Sequence, residues 1–187
     1  MIAVRFLGLD DLGRYFGAVN KATTVATMRA INAEAARGRT LASRKIREQV
    51  GLKASYVNEK LKVRKATVTN LVAEISTPKR GLLLTRFANR QLTLRGRKAG
   101  IAVRVKPRGG FKKMPKAFYI RLRAGAEPGF NEGIAIRDQA TNKVKVLHGP
   151  SISQVFNTVR EDVAPELLEK YRTTLAREIQ YAMRGVK

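Results

Sequence analysis

From Ile75 to Ala126 the chain carries fifteen lysines and arginines and no aspartate or glutamate; Glu74 and Glu127 stand just outside. The chemistry open to such residues is the holding of anions, because each guanidinium or ammonium offers charged donors to a phosphate or a carboxylate. Fifteen like charges repel one another in a compact fold. The missing counter-charge must come from a polyanion or from the acidic surface of a partner. The same excess runs through the whole chain, with 38 Lys and Arg against 14 Asp and Glu and a formal net charge of +24. Eight cations, Arg95, Arg97, Lys98, Arg104, Lys106, Arg108, Lys112 and Lys113, are expected to form one nucleic-acid-facing surface that reads no sequence. They fall in two basic loops, 95–98 and 108–113, and on the strand between them.

Nothing else in the chain assembles into an active site. His148 is the only histidine and there is no cysteine, so no histidine cluster, thiolate metal site or cysteine nucleophile can form. His148 stands in a turn before a helix cap, a structural setting. No phosphate-cradling glycine motif occurs, and Gly109-Gly110 reads only as a flexible loop. Glu127, Glu132 and Asp138 are too scattered to gather two cations. The chain is therefore read as a non-enzyme, with no catalytic residue, cofactor or metal. Phe87, Phe111, Phe118 and Tyr119 lie among the cations and are candidates to stack bases. Phe118 reads as core, and Phe111, between Gly110 and Lys112, is the one placed for exposure.

A helix-turn-helix is the second candidate, over Ile46–Leu61. Gly51 supplies the turn, where the motif needs a left-handed residue, and Ile46, Val50, Leu52 and Val57 supply the packing. Arg47 and Lys60 stand where the motif calls for a small and an apolar residue. Used on DNA, the segment would bring Ser55, Tyr56, Asn58 and Lys60 toward the major groove.

The elements that must position these residues follow from periodicity. Asp10 and Asp11 suit the start of a short helix, followed by a long one over about 21–49 whose apolar positions are Ala22, Val25, Ala26, Ala33, Ala36, Leu41 and Ile46. Gly38 is a place for a kink. A short helix over 54–61 comes next. Alternating patterns predict strands at 71–75, 99–105, 117–123, 133–137 and 143–147, the last two joined by a turn over 138–142. Ser151 caps a short helix, and Pro165 opens a long final one with the stripe Leu168, Tyr171, Leu175, Ile179 and Met183. The order gives an α+β fold: N-terminal helices, a central antiparallel sheet with basic loops, and a C-terminal amphipathic helix.

A length of 187 residues suits a single domain, with a helical region 1–66, a basic β region 67–148 and C-terminal helices 149–187. Hydrophobic residues make up 44% of the chain, enough for a folded core rather than a basic tail. The first residues meet Asp10-Asp11 too soon for a signal peptide, and no apolar run approaches the roughly 20 residues that span a bilayer. The expectation is a protein made in a cytoplasm and kept there or packed into a particle.

The linear order, with Met28-Arg-Ala-Ile-Asn32, Lys65-Ala-Thr67, Pro115-Lys-Ala-Phe118, Gly149-Pro-Ser151 followed by Phe156, and Pro165-Glu-Leu167 entering the last helix, resembles the minor tail protein Z family of lambda-like tailed phages and prophages. The resemblance implies a structural virion protein that completes the tail at its head-proximal end, near the neck and the channel that DNA traverses. It implies a homo-oligomeric ring, six-fold if it follows tail symmetry, with the tail terminator and the head–tail connector as neighbours. Non-specific contact with double-stranded DNA and no membrane association are expected. Two other readings keep the charge but change the partner: a DNA-binding protein using 46–61, and a ribosomal-type RNA-binding protein.

Overall fold

A computed structural model of the chain describes residues 9–122 and 131–186, and the side chains from Arg14 onward. Arg123 and Glu127, and the side chains of Asp10 and Asp11, lie outside the described residues. The elements are α1 (Leu9–Gln49), α2 (Ala54–Lys60), β1 (Lys62–Arg64), β2 (Glu74–Ser76), β3 (Leu82–Leu83), a 3-10 turn (Leu84–Arg86), β4 (Ala88–Leu94), β5 (Arg97–Arg104), β6 (Lys112–Met114), β7 (Ala117–Arg121), β8 (Glu132–Arg137), β9 (Val144–Val146), β10 (His148–Gly149) and α3 (Ile152–Met183). The order is that of an α+β protein.

Both ends are simpler than the sequence suggests. In place of a short helix and a long one, α1 is continuous for 41 residues, about 60 Å at 1.5 Å per residue. It runs through Gly38 unbroken. Threonines inside it return their hydroxyls to carbonyls three or four residues back, as Thr27 Oγ1 does to Thr23 O at 2.8 Å. The buried row is Ala26, Ala30, Glu34, Gly38, Ala42 and Ile46, continued by Val50 just past the helix. Of the expected set Ala26 and Ile46 lie on it, Ala22, Val25 and Leu41 are half-buried, and Ala33 and Ala36 are exposed. A four-residue step overshoots one turn by about 40°, so this row winds round the helix.

Helix α3 is likewise continuous, with Pro165 inside it rather than at its start. Proline removes the donor that Glu161 O would receive. Glu161 is exposed, so water can take that role. Ser151 is the cap expected: its Oγ accepts from Gln154 N at 3.1 Å, while Gln154 Oε1 accepts from Ser151 N at 2.9 Å. Of the expected stripe, Tyr171, Leu175, Ile179 and Met183 are half-buried and Leu168 is 54% exposed; Leu167, half-buried, and Thr174, buried, join the inward side.

The chain folds as two compact units. One comprises the chain up to Thr40, Lys62–Ser76 and the chain from Glu161 on; the other comprises Leu41–Leu61 and Thr77–Arg160. In the first, β1 pairs antiparallel with β2, which is shorter and later than the strand expected over 71–75. Asn32 ties α1 to the segment after β1 by accepting from Ala66 N at 2.8 Å and donating to Ala66 O at 3.0 Å. Gly38 lies under Leu167 and Ile75; a Cβ there would stand 2.9 Å from Leu167 Cδ1. Its role is close approach, not a kink.

The second unit holds two three-stranded antiparallel sheets, ordered β4-β5-β6 and β7-β8-β9, and the short pair β3-β10. The β8–β9 hairpin turns over 138–142 as expected: Asp138 Oδ1 accepts from Ala140 N at 2.9 Å, and Asn142 takes φ 52°. His148 lies in β10, paired with Leu83. The core gathers Ile46, Val57 and Leu61 from the first part of the unit with Ile101, Ile134, Ile152 and Val159, all below 2% exposed. Each such side chain contributes about 1.5–3 kcal/mol by leaving water.

Candidate nucleic-acid interface

The basic residues sit on the β4-β5-β6 sheet and its connections, and the pleat sorts them. Arg95 and Gly96, at φ 49° and 76°, form a two-residue hairpin turn between β4 and β5. Arg97 and Lys98 belong to β5, and Lys112 and Lys113 to β6, so the ends of the expected loops 95–98 and 108–113 are strand, while 95–96 and 108–111 are turn or loop. A shift of register divides β5. Gln91 faces Ile101, but Thr93 faces Lys98, so Ala99 and Gly100 together oppose Leu92. Gly100 makes this bulge with φ 113°, and its Cα lies so close to Met114 O that a Cβ would stand 2.3 Å away. Only glycine fits there.

The bulge resets which side each cation takes. Arg104 faces Ala88 across the ladder; Ala102 lies between Arg90 and Lys113; Arg97 faces Leu94. Side chains of cross-strand partners lie on the same side, and β4 alternates without a break, so Arg90, Arg97, Arg104 and Lys113 share one side. Lys98 and Lys112 share the other with the buried Ile101 and Val103. That second side is tied inward by Tyr119 of β7, whose Oη donates to Asn89 Oδ1 at 2.6 Å. Burial, and secondarily the Glu132 carboxylate, raises the Tyr119 hydroxyl above the usual phenol pKa.

The eight expected cations therefore do not meet on one surface. Arg97, Arg104 and Lys113 share one side, with Arg97 at the hairpin end of β5 and Arg104 at its other end, Lys98 and Lys112 lie opposite, and Arg95 stands at the hairpin tip. Lys106 and Arg108 border a separate depression of about 520 Å³ with Glu48, Gln49 and Val155. Arg90 completes the outward set, and sequence reasoning missed it because β4 shows no clean apolar alternation.

Phe111 is the second correction. It is half-buried, not exposed, with the Arg90 guanidinium carbon 4.7 Å and that of Arg104 5.0 Å from its ring centroid. The ring organises two guanidiniums rather than offering itself to a base. Phe87 is 2% exposed, in the core. Among the described residues none of Arg90, Arg97, Arg104 and Lys113 makes an ion pair. Two guanidiniums held over one ring, with a third and an ammonium on the same side, can bind several phosphates at once without touching a base edge.

The 46–61 segment does form two helices around a turn, but not with the local geometry the motif needs. Gly51 is not left-handed; among the described glycines only Gly96 and Gly100 take positive φ. Gly51 N instead donates to Val105 O at 2.8 Å, anchoring the turn to the end of β5. Helix α2 has seven residues, and Tyr56 on it is covered by the Arg86 guanidinium at 4.7 Å.

Among the described residues no three His, Cys, Asp or Glu side chains gather as metal ligands, and no helix is long and apolar enough to cross a membrane. Comparison with curated proteins and with solved structures gave no significant match. The family model of prophage minor tail protein Z matches residues 8–187, nearly the whole sequence. The chain therefore belongs to the prophage minor tail protein Z family, and is a structural component of a phage tail.

Proposed function

We propose that the protein completes the head-proximal end of the tail, at the neck, as one of several copies in a closed ring. The face carrying Arg90, Arg97, Arg104 and Lys113 lies toward the double-stranded DNA that passes through the bore. The observation that supports this reading most directly is that face: four cations on one side of a sheet, preorganised on Phe111, inside a stretch with no carboxylate from Ile75 to Leu122. Contacts of this kind go to phosphates and carry no sequence information. Such a surface lets DNA slide past, which a sequence reader would not.

The role is structural and involves no catalysis. Six-fold symmetry, with the tail terminator and the head–tail connector on either side, is the arrangement that a tail-completing ring would take. Like-charged subunits repel, so the ring forms on the tail rather than free in solution. Reconstruction of assembled tails by electron cryo-microscopy tests the reading. A closed ring at the head-proximal end, with the Arg90 face lining the bore, is the expected result. A single copy per tail, an open helical array along the tube, or a place at the distal tip would overturn it.

A further inference from the structure

We propose that a depression beside Glu34 is the socket for the β4–β5 hairpin tip of a second copy of this chain, with Leu94 and Arg95 as the inserted residues. The inference deepens the ring reading and rests on it, by naming the two surfaces that meet.

The Glu34 side chain is 7% exposed. Its Oε1 accepts from Arg37 Nη1 at 2.6 Å and from Thr174 Oγ1 at 2.8 Å. Its Oε2 is buried with no hydrogen-bond partner. A carboxylate oxygen in that state is costly, and a further donor relieves it. Glu34 borders a depression of about 250 Å³ whose other walls include Ile31, Ile75, Leu167 and Tyr171. Apolar walls around one carboxylate suit a side chain with an aliphatic stem and a cationic head, as in arginine or lysine.

The same chain displays that chemistry at one narrow projection. The turn at Arg95 and Gly96 is two residues wide and Arg95 is exposed. Leu94 beside it is 70% exposed, more than any other large hydrophobic residue among those described. An exposed leucine next to an exposed arginine matches apolar walls next to a carboxylate with one oxygen lacking a partner, in both polarity and charge. Tip and socket are different patches of one chain, so the contact is head-to-tail and propagates from copy to copy until it closes.

The absence of native cysteine makes the contact directly testable. One full-length variant carries Leu94→Cys and a second carries Ala73→Cys, on the wall of the depression. Both are incorporated together into assembled tails, and the tails are oxidised. The expected product is a disulfide-linked pair joining the two variants, several-fold above the pairs that either variant forms alone. Adding Arg95→Glu to the first variant should reduce that product several-fold, because it sets a carboxylate against Glu34. Tails that contain several copies but yield no mixed pair above the single-variant background would overturn the socket while leaving the ring standing. Tails with one copy each would overturn both.

Discussion

Residues of the first unit carry 14 Lys and Arg against 9 Asp and Glu, and those of the second carry 24 against 5. In the first, acids meet cations nearby: Arg64 with Glu74 at 2.9 Å, Arg37 with Glu34 at 2.6 Å, Arg172 with Glu169 at 3.3 Å. In the second, the described pairs lie on the helices, as with Arg44 and Glu48 at 3.4 Å, while the outward face of β4-β5-β6 has none. Exposed pairs contribute only about 0–1 kcal/mol each to folding. Leaving the sheet without acids therefore costs the fold little, and leaves its cations available to a partner. In the first unit several cations meet acids within the molecule; on the outward sheet face of the second they are left for assembly.

The largest test of that contrast acts on binding. Replacing Arg90, Arg97, Arg104 and Lys113 together by glutamine should flatten the salt dependence of duplex binding. Each phosphate that the protein no longer neutralises takes about 0.9 off the log–log slope, so the total change is about 3 to 4 if each cation meets one phosphate. Replacing Lys98 and Lys112, on the opposite side, should change the slope by less than about 1. Titration of unrelated duplexes over a salt series measures both. Equal effects from the two variants would mean that the pleat does not divide the surface as described.

A second test acts on the bulge that makes this division. Gly100→Ala forces a side chain into positive φ and against Met114 O, and should cost about 3 kcal/mol or more. Gly96→Ala also meets positive φ, but nothing lies within 4 Å, so about 1 kcal/mol is expected. Urea unfolding of the two variants gives the comparison. A Gly100→Ala midpoint no lower than that of Gly96→Ala would remove the steric reason for the bulge.

What was legible in the sequence divides along the same line. The α+β order, the Ser151 cap and the 138–142 turn could be read because their signals are local: a hydroxyl three residues before a glutamine, and Asp138 and Asn142 between alternating runs. The sharing of charges was not legible, because it depends on register. Residues 88–94, Ala-Asn-Arg-Gln-Leu-Thr-Leu, do not alternate cleanly, and their turn is Arg-Gly rather than Asn-Gly or Asp-Gly. Without β4 there was no ladder to show that one extra residue at Ala99-Gly100 exchanges the sides of Arg97 and Lys98. Pro165 misled for a related reason. A proline reads as a helix start, but it is tolerated inside α3 where the freed carbonyl belongs to exposed Glu161. Glu34 gave no signal, since a glutamate in an alanine-rich helix looks solvated until α3 packs over it.

The first unit has its own test, smaller than the bulge. Thr174→Val keeps the shape but removes the hydroxyl that donates to Glu34 Oε1. A buried carboxylate deprived of a donor should destabilise the protein by about 1–3 kcal/mol. Combined with Glu34→Gln, the destabilisation should be less than the sum of the two, because both changes act on one hydrogen bond. Thermal or urea unfolding of the two single variants and the double variant decides. Strict additivity would mean that Glu34 and Thr174 do not interact.

The smallest expected effect concerns a charge that the second unit does settle internally. Hydrogen bonds from Ala140 N and Thr141 N hold the Asp138 carboxyl below its ordinary pKa, with Lys145 adding a minor attraction. A carboxylate whose folded pKa is depressed stabilises the fold above its unfolded value, near 3.9. It loses that contribution as the pH falls through the folded value. Asp138→Asn keeps an acceptor oxygen for the same amides but cannot titrate. Wild type should therefore be slightly more stable than the variant at neutral pH, and the gap should close on acidification below about 4. The other carboxylates titrate alike in both proteins and cancel in the difference. Urea midpoints of the pair from pH 7 down to about 2.5 measure it. A gap that stays constant over that range would mean that the turn is held by the shape of residue 138, not by its charge.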